Sequence, residues 1–317
     1  MIRIHMKYIF FLAIAGSLFL AACKKDTPIG PPIKLEPDYA LPQGNAPKEA
    51  NDKIQQLYDK YGSYFLYNFT QKDFEWIQSS GNSNSKIDTA VLGNPEYTMD
   101  MLALLEDVWL KFLPEDFKKK GGIPYRVFIM DSIKQFRGAG YPPGFEYLNF
   151  EYKVIGKAIA FSGMNANLRT MTPAQKLAKK NLIIGVMWNY YVNSGFLDVP
   201  AAFYNVSDYV NQPQMPINAA NPANVEAYRQ RGFLPESYNI VTGAPSEWLK
   251  SAYFWTSTPK NYDLSSYIYH MLQCSDEKIA PLVNDNYPLI KQKFDILVKH
   301  FRDKYGIDVR AIANATY

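Results

Sequence analysis

Apolar residues recur at every third and fourth position in several stretches of the chain, and each stretch predicts a helix with one buried face. The first opens at Pro47, carries Ile54, Leu57, Tyr58 and Tyr61 on one side, and closes at Gly62. A second covers about 98–113, with Leu102, Leu105, Trp109 and Phe112 at helical spacing and Pro114 as its terminator. The clearest helix start is Thr172-Pro173-Ala174-Gln175. Thr can cap the first turn, Pro fits the first helical position, and Gln three residues after Thr completes a capping box. That helix is expected to reach about Asn193 and stop at Ser194-Gly195. Asn221-Pro222 opens a shorter helix ended by Gly232, and another lies near 263–274. The last long helix runs from Pro288 to Gly306, with Leu289, Phe294, Leu297 and Phe301 in its apolar stripe.

Strand-like runs are confined to the front half. Ser63 to Phe69, Pro124 to Asp131 and Val154 to Phe161 are rich in aromatic and β-branched residues, the last with Gly156 as a weak point. Polar or Gly/Pro-rich stretches at 79–86, 138–144 and 205–224 read as loops. Strands before about residue 165 and helices after it predict an α+β body: a sheet-bearing front half and a helical back half. The helix at 173–193 is expected to be central and buried beside a mixed sheet.

The N-terminus carries a different pattern. Lys7 is followed by an apolar run from Tyr8 to Leu20 and then by Leu20-Ala21-Ala22-Cys23. A basic start, a short apolar core and small residues at the cut make a secretory signal. The run is shorter than the roughly 20 residues of a membrane span. Leu-Ala-Ala-Cys resembles a bacterial lipobox, which implies a leader at 1–22 and acylation of Cys23. Residues 23–46 form a Pro-rich tether with Pro28, Pro31, Pro32, Pro37 and Pro42, and 47–317 form the folded body. An outer-membrane lipoprotein is expected. Lys24-Lys25-Asp26 beside the anchor favours the cell surface over the periplasmic face.

Charge and cysteine content narrow the function. A net charge of +4, with Arg3 and Lys7 inside the leader, makes no electrostatic case for nucleic acid. With Cys23 acylated, Cys274 is the one remaining thiol, so no intrachain disulfide is expected. Cys274 follows His270 by one helical turn; a buried helical Cys is favoured over a nucleophile with its base. Aromatic residues are 15% of the chain, and 24 Tyr could serve a sugar or peptide surface as well as a core. His270 and His300 are the only imidazoles beyond the leader. His-Glu-x-x-His, Gly-x-Ser-x-Gly and phosphate-loop patterns are absent.

Several segments in order resemble a known family. They are the lipobox, Tyr58-Asp59-Lys60-Tyr61-Gly62, the strand from Arg126 to Asp131, and Pro173-Ala174 leading a helix with Leu182-Ile183-Ile184. The run from Ala227 to Phe233 and the run from Lys293 to Asp308 follow. Over most of residues 45–315 the chain resembles the zinc-metallohydrolase lipoproteins of Bacteroidetes that accompany TonB-dependent nutrient import. That resemblance implies a zincin-like fold, a zinc cofactor, and as partners a TonB-dependent transporter with its binding lipoprotein. In the family the helix carries His-Glu-x-x-His. Here Gly185 stands at the first His, Val186 at the Glu and Asn189 at the second His. The family's acidic motif falls near 262–266, where only Asp263 is acidic.

The resemblance therefore implies a degenerate member with no catalytic residues and no bound metal. Relaxed selection and close packing both account for Gly185 inside a helix. Trp188, Asn189 and Asp263 are the candidate ligand-binding residues, with Trp188 favoured as core. The expected function is non-catalytic: binding peptide or glycan, or supporting an import complex. An active zinc peptidase with a displaced site is the alternative, and a surface scaffold a third.

Overall fold

The computed structural model describes residues 37–78, 88–138, 140–211, 222–234 and 259–317. The leader, Cys23, most of the tether and the loop at 79–86 lie outside the described residues, as does the 212–221 part of the later loop. The chain divides into Met1–Ala40 and Leu41–Tyr317, and the second unit carries the architecture.

Helix α1 (Lys48–Tyr61) ends where Gly62 takes φ +68° and donates its N–H to the Tyr58 carbonyl. A side chain is strained in that left-handed conformation, so glycine stops the helix there. The chain re-enters as β1 (Tyr64–Leu66), buried on both faces. After α2 (Gln71–Gln78), β2 (Asp88–Val91) and α3 (Thr98–Val108) come β3 (Arg126–Ile129), β4 (Ser132–Phe136) and β5 (Tyr147–Phe150). Strands β6 (Tyr152–Ile155) and β7 (Ala158–Phe161) complete the front half.

The main sheet has the order β1-β3-β7-β6. β3 runs parallel to β1 and to β7, with Val127 opposite Phe65 and Ile159. Its inner strands are apolar apart from Arg126 at the start of β3, as suits a sheet covered on both faces. β6 is antiparallel to β7 and lies at the sheet's edge. A second, antiparallel sheet has the order β2-β4-β5. Buried Asp88 of that sheet pairs with Lys153 of β6 at 2.7 Å and accepts from the Gln135 amide at 2.8 Å.

Three expectations need correction. The stretch from Val154 to Phe161 is a hairpin, because Gly156 (φ +56°) and Lys157 turn the chain between β6 and β7. β2 and β4 alternate too few apolar residues to read as strands, and β5 (Tyr-Leu-Asn-Phe), just after the Gly/Pro-rich loop, was not assigned either. α3 stops at Val108, where Trp109 leaves helical geometry (φ −138°, ψ −66°) and a tight turn spans Leu110–Phe112. The Trp109 ring packs 6.1 Å from Phe161 of β7, and its Nε1 donates to the Tyr191 hydroxyl at 2.9 Å. That hydroxyl donates to the Gly122 carbonyl at 2.7 Å.

Helix α4 (Pro173–Asn193) starts as its cap requires: Thr172 Oγ1 accepts from Gln175 N, and Gln175 Oε1 accepts from Thr172 N at 2.8 Å. Such a cap contributes about 1 kcal/mol. Its first two turns are exposed, and from Lys180 onward it enters the core. Later helices include α5 (Pro222–Arg229), α6 (Pro259–Gln273), α7 (Pro288–Tyr305, closed by Gly306 at φ +70°) and α8 (Val309–Ala313), with single turns at Ala201–Tyr204 and Asp276–Ile279. Every described strand precedes residue 162, so the body is α+β with a mixed sheet in front and helices behind.

Candidate ligand-binding cleft

Two elements of opposite periodicity form the cleft. Along β6, Tyr152 and Val154 share one face, while Lys153 turns the other way to Asp88. Along α4, Val186, Asn189, Tyr190 and Asn193 recur at helical spacing on one side. These residues, with Gly156, Lys157 and Ser194, enclose about 540 Å³ between the sheet edge and the helix. Val186 is buried and Asn189 is exposed at the rim.

The backbone of β6 adds a third feature. Ile155 pairs with Ala158 across the two-residue turn, and Glu151 O accepts from Ser162 N. Hydrogen-bonded pairs alternate along an antiparallel ladder. The register therefore turns the N–H and C=O groups of Tyr152 and Val154 away from β7, toward the free edge.

The lining is electrically simple. Burial holds the Tyr152 and Tyr190 phenols above their ordinary pKa, so both stay neutral donors. Asn189 and Asn193 offer amides, and the Ser194 hydroxyl is bonded to the Tyr190 carbonyl at 2.6 Å. Lys157 is the only charged residue of the lining.

Of the sequence-level candidates, the structure brings Val186 and Asn189 to the cleft. Gly185 is buried within α4. The Trp188 ring packs edge-on against Phe301, centroids 4.7 Å apart, and its buried Nε1 has no hydrogen-bond partner. Asp263 is not part of the lining. It is fully buried on α6, with its Oδ2 2.6 Å from Lys293 Nζ and accepting from the Tyr209 hydroxyl at 2.5 Å.

The Lys293 ammonium is held by a box of rings. Its Nζ lies 4.6 Å from the centroid of Phe203, 4.7 Å from Tyr267, 5.0 Å from Phe233 and 5.6 Å from Tyr209. It also donates to the Gly232 carbonyl at 3.0 Å and to Ser207 Oγ at 3.2 Å. Burial raises the Asp263 pKa and lowers that of Lys293, and their contact opposes both shifts. Sequence reasoning missed Lys293, although a signal was present. It falls among Ile290, Phe294 and Leu297, inside the apolar stripe of α7. Lys157 and Tyr152 were missed because the hairpin that positions β6 was read as one strand, and Asn193 because it lies one turn beyond the motif positions on α4.

The two imidazoles serve other roles. His270 Nδ1 donates to the Ser266 carbonyl at 2.7 Å within α6. His300 Nε2 lies 2.8 Å from Asp198, which Lys304 and Tyr305 also bind and hold well below the usual carboxylate range. Burial pushes the Cys274 thiol up, away from the thiolate a nucleophile needs. Among the described residues no three His, Cys, Asp or Glu side chains gather as metal ligands would. A zinc ion takes thiolate, imidazole or carboxylate donors. The cleft offers amides, phenols, a hydroxyl and an ammonium, so its residues do not fit that ion.

No protein-family model matches the chain. No curated protein matches it either. Among solved structures, it is similar to a chain from Bacteroides caccae described as a "putative zinc-binding metallo-peptidase". The TM-score is 0.44, with 11% identity over 85% of this chain and 92% of that one.

Proposed function

We propose that the chain is a membrane-anchored, non-catalytic binding protein that holds an extended polypeptide in the cleft between β6 and α4. The observation that carries this reading is a free strand edge beside a cleft whose lining has no imidazole, thiolate or carboxylate. An unpaired edge is a template for an added strand, and main-chain hydrogen bonds then supply affinity without demanding one sequence. The outward groups of Tyr152 and Val154 form one wall of bonds. The amides of Asn189 and Asn193, one helical turn apart, face the same space and can each donate and accept. Tyr152 and Tyr190 supply apolar faces with polar tips.

Hydrolysis needs an activated water or a nucleophile with its base. The lining supplies neither, so binding energy here ends in capture. Acylation of Cys23 would hold the body at the outer membrane, on the cell surface, where a TonB-dependent transporter and its binding lipoprotein are the fitting partners. A glycan could use the rings and amides but not the backbone ladder of β6, and peptide is favoured for that reason.

The test is fluorescence titration of the purified protein with an acetylated, amidated hexapeptide of alternating Ser and Val. Saturable binding is expected, and Val154→Pro, which removes one outward N–H at an edge strand, should abolish it with the fold intact by circular dichroism. Failure of the parent protein to bind any extended peptide would overturn the reading. Stoichiometric zinc after dialysis, together with chelator-sensitive peptide cleavage, would replace it by an active hydrolase with a displaced site.

A further inference from the structure

We propose that Lys157 makes the cleft selective for a carboxylate-bearing peptide, with the acid seated at the Gly156-Lys157 turn. This rests on reading the cleft as a peptide site. Lys157 is exposed and is the only formal charge in the lining. Nearby charges are already paired: Lys153 with Asp88 at 2.7 Å on the opposite face of β6, and Lys179 with Glu151 at 2.7 Å. Among the described residues no carboxylate pairs with Lys157.

The rest of the lining is neutral, so a ligand's charge meets one opposing charge and no competitor. The turn also fixes where that charge stands. Gly156 at φ +56° lets the chain reverse in two residues, which keeps Lys157 at the end of β6. A strand added antiparallel to β6 brings its N-terminal residues to that end, so an acidic side chain near its start would meet Lys157. A parallel strand brings its C-terminal carboxylate to the same place. Both present one carboxylate to one ammonium, a charge-assisted hydrogen bond stronger than a neutral one.

Four hexapeptides separate these sources. They are the acetylated, amidated Ser/Val peptide, the same peptide with Asp first, the same with Lys first, and the neutral peptide with a free C-terminal carboxylate. One carboxylate peptide should bind roughly tenfold tighter than the neutral one. Asp-first identifies the antiparallel side-chain contact, and the free carboxylate identifies the parallel one. The preference should shrink as salt is raised. Lys157→Met should bring the preferred peptide to the neutral peptide's level in the same variant, and Lys157→Arg should keep the preference. Neutral binding without preference, a preference for the Lys-first peptide, or a preference that survives Lys157→Met would overturn the role of Lys157 and leave the peptide reading standing. Absence of binding by all four would overturn both.

Discussion

The cleft and the Lys293 box use charge in opposite ways. At the cleft a single exposed ammonium has no carboxylate paired with it among the described residues and stands among neutral amides and phenols. In the box an ammonium and a carboxylate are both fully buried, 2.6 Å apart and walled by four aromatic rings. Desolvating each ion costs several kcal/mol, which contact and hydrogen bonds must offset. That cost is met where Lys293 ties residues 203–209, 232–233 and 263–267 to α7. The buried acid and base hold the helical half together. The exposed charge of Lys157 is the one proposed to serve recognition.

The sharpest way to break this contrast is Lys293→Met. It should destabilise the protein by about 3–5 kcal/mol in chemical denaturation, because Asp263 is left buried without its counter-charge. The double variant Lys293→Met with Asp263→Leu should recover most of the loss. A near-neutral single variant would show that the box is not a structural centre.

A smaller effect belongs to Lys180, also buried, which donates to the Ile312 carbonyl at 3.0 Å and reaches the Leu272 carbonyl at 3.5 Å. It meets helix C-terminal carbonyls and, among the described residues, no carboxylate, and burial lowers its pKa to about 8. The unfolded chain then binds more protons than the folded one between about pH 8 and pH 10.5. Stability from this group should therefore rise with pH across that window and be lowest below it. Relative to Lys180→Met, the parent should gain roughly 2–3 kcal/mol from pH 7.5 to 10.5. A flat difference would mean that Lys180 is solvated.

The smallest expected change in stability is at the cleft. Asn189→Ala and Asn193→Ala should each stay within about 0.5 kcal/mol of the parent while weakening peptide binding roughly threefold. A large loss of stability would give the amides a structural role and blur the contrast with the box.

What could be read in the sequence follows from range. Thr172 and Gln175 cap α4 across three residues, and Gly62 and Gly306 stop α1 and α7 by adopting left-handed φ. These are local backbone preferences, so these helix ends and the α+β order were legible before any packing was known, whereas the end of α3 at Val108 was not. The positions Gly185, Val186 and Asn189 could likewise be placed on one helix, because its start was secure.

Distance along the chain hid the rest. β4 exists because it pairs with β2, as Gln135 with Asp88, and its own five residues carry too little apolar alternation to announce a strand. Lys293 finds Asp263 thirty residues away only when α6 and α7 pack, which turned a suspected cleft carboxylate into half of a buried pair. The cleft itself needs β6 folded back on β7 at Gly156 and set beside α4. The sequence by itself determined which segments are helices and which side chains α4 could offer. Tertiary structure decided which faces meet, because burial and pairing free energies depend on neighbours that no local window contains.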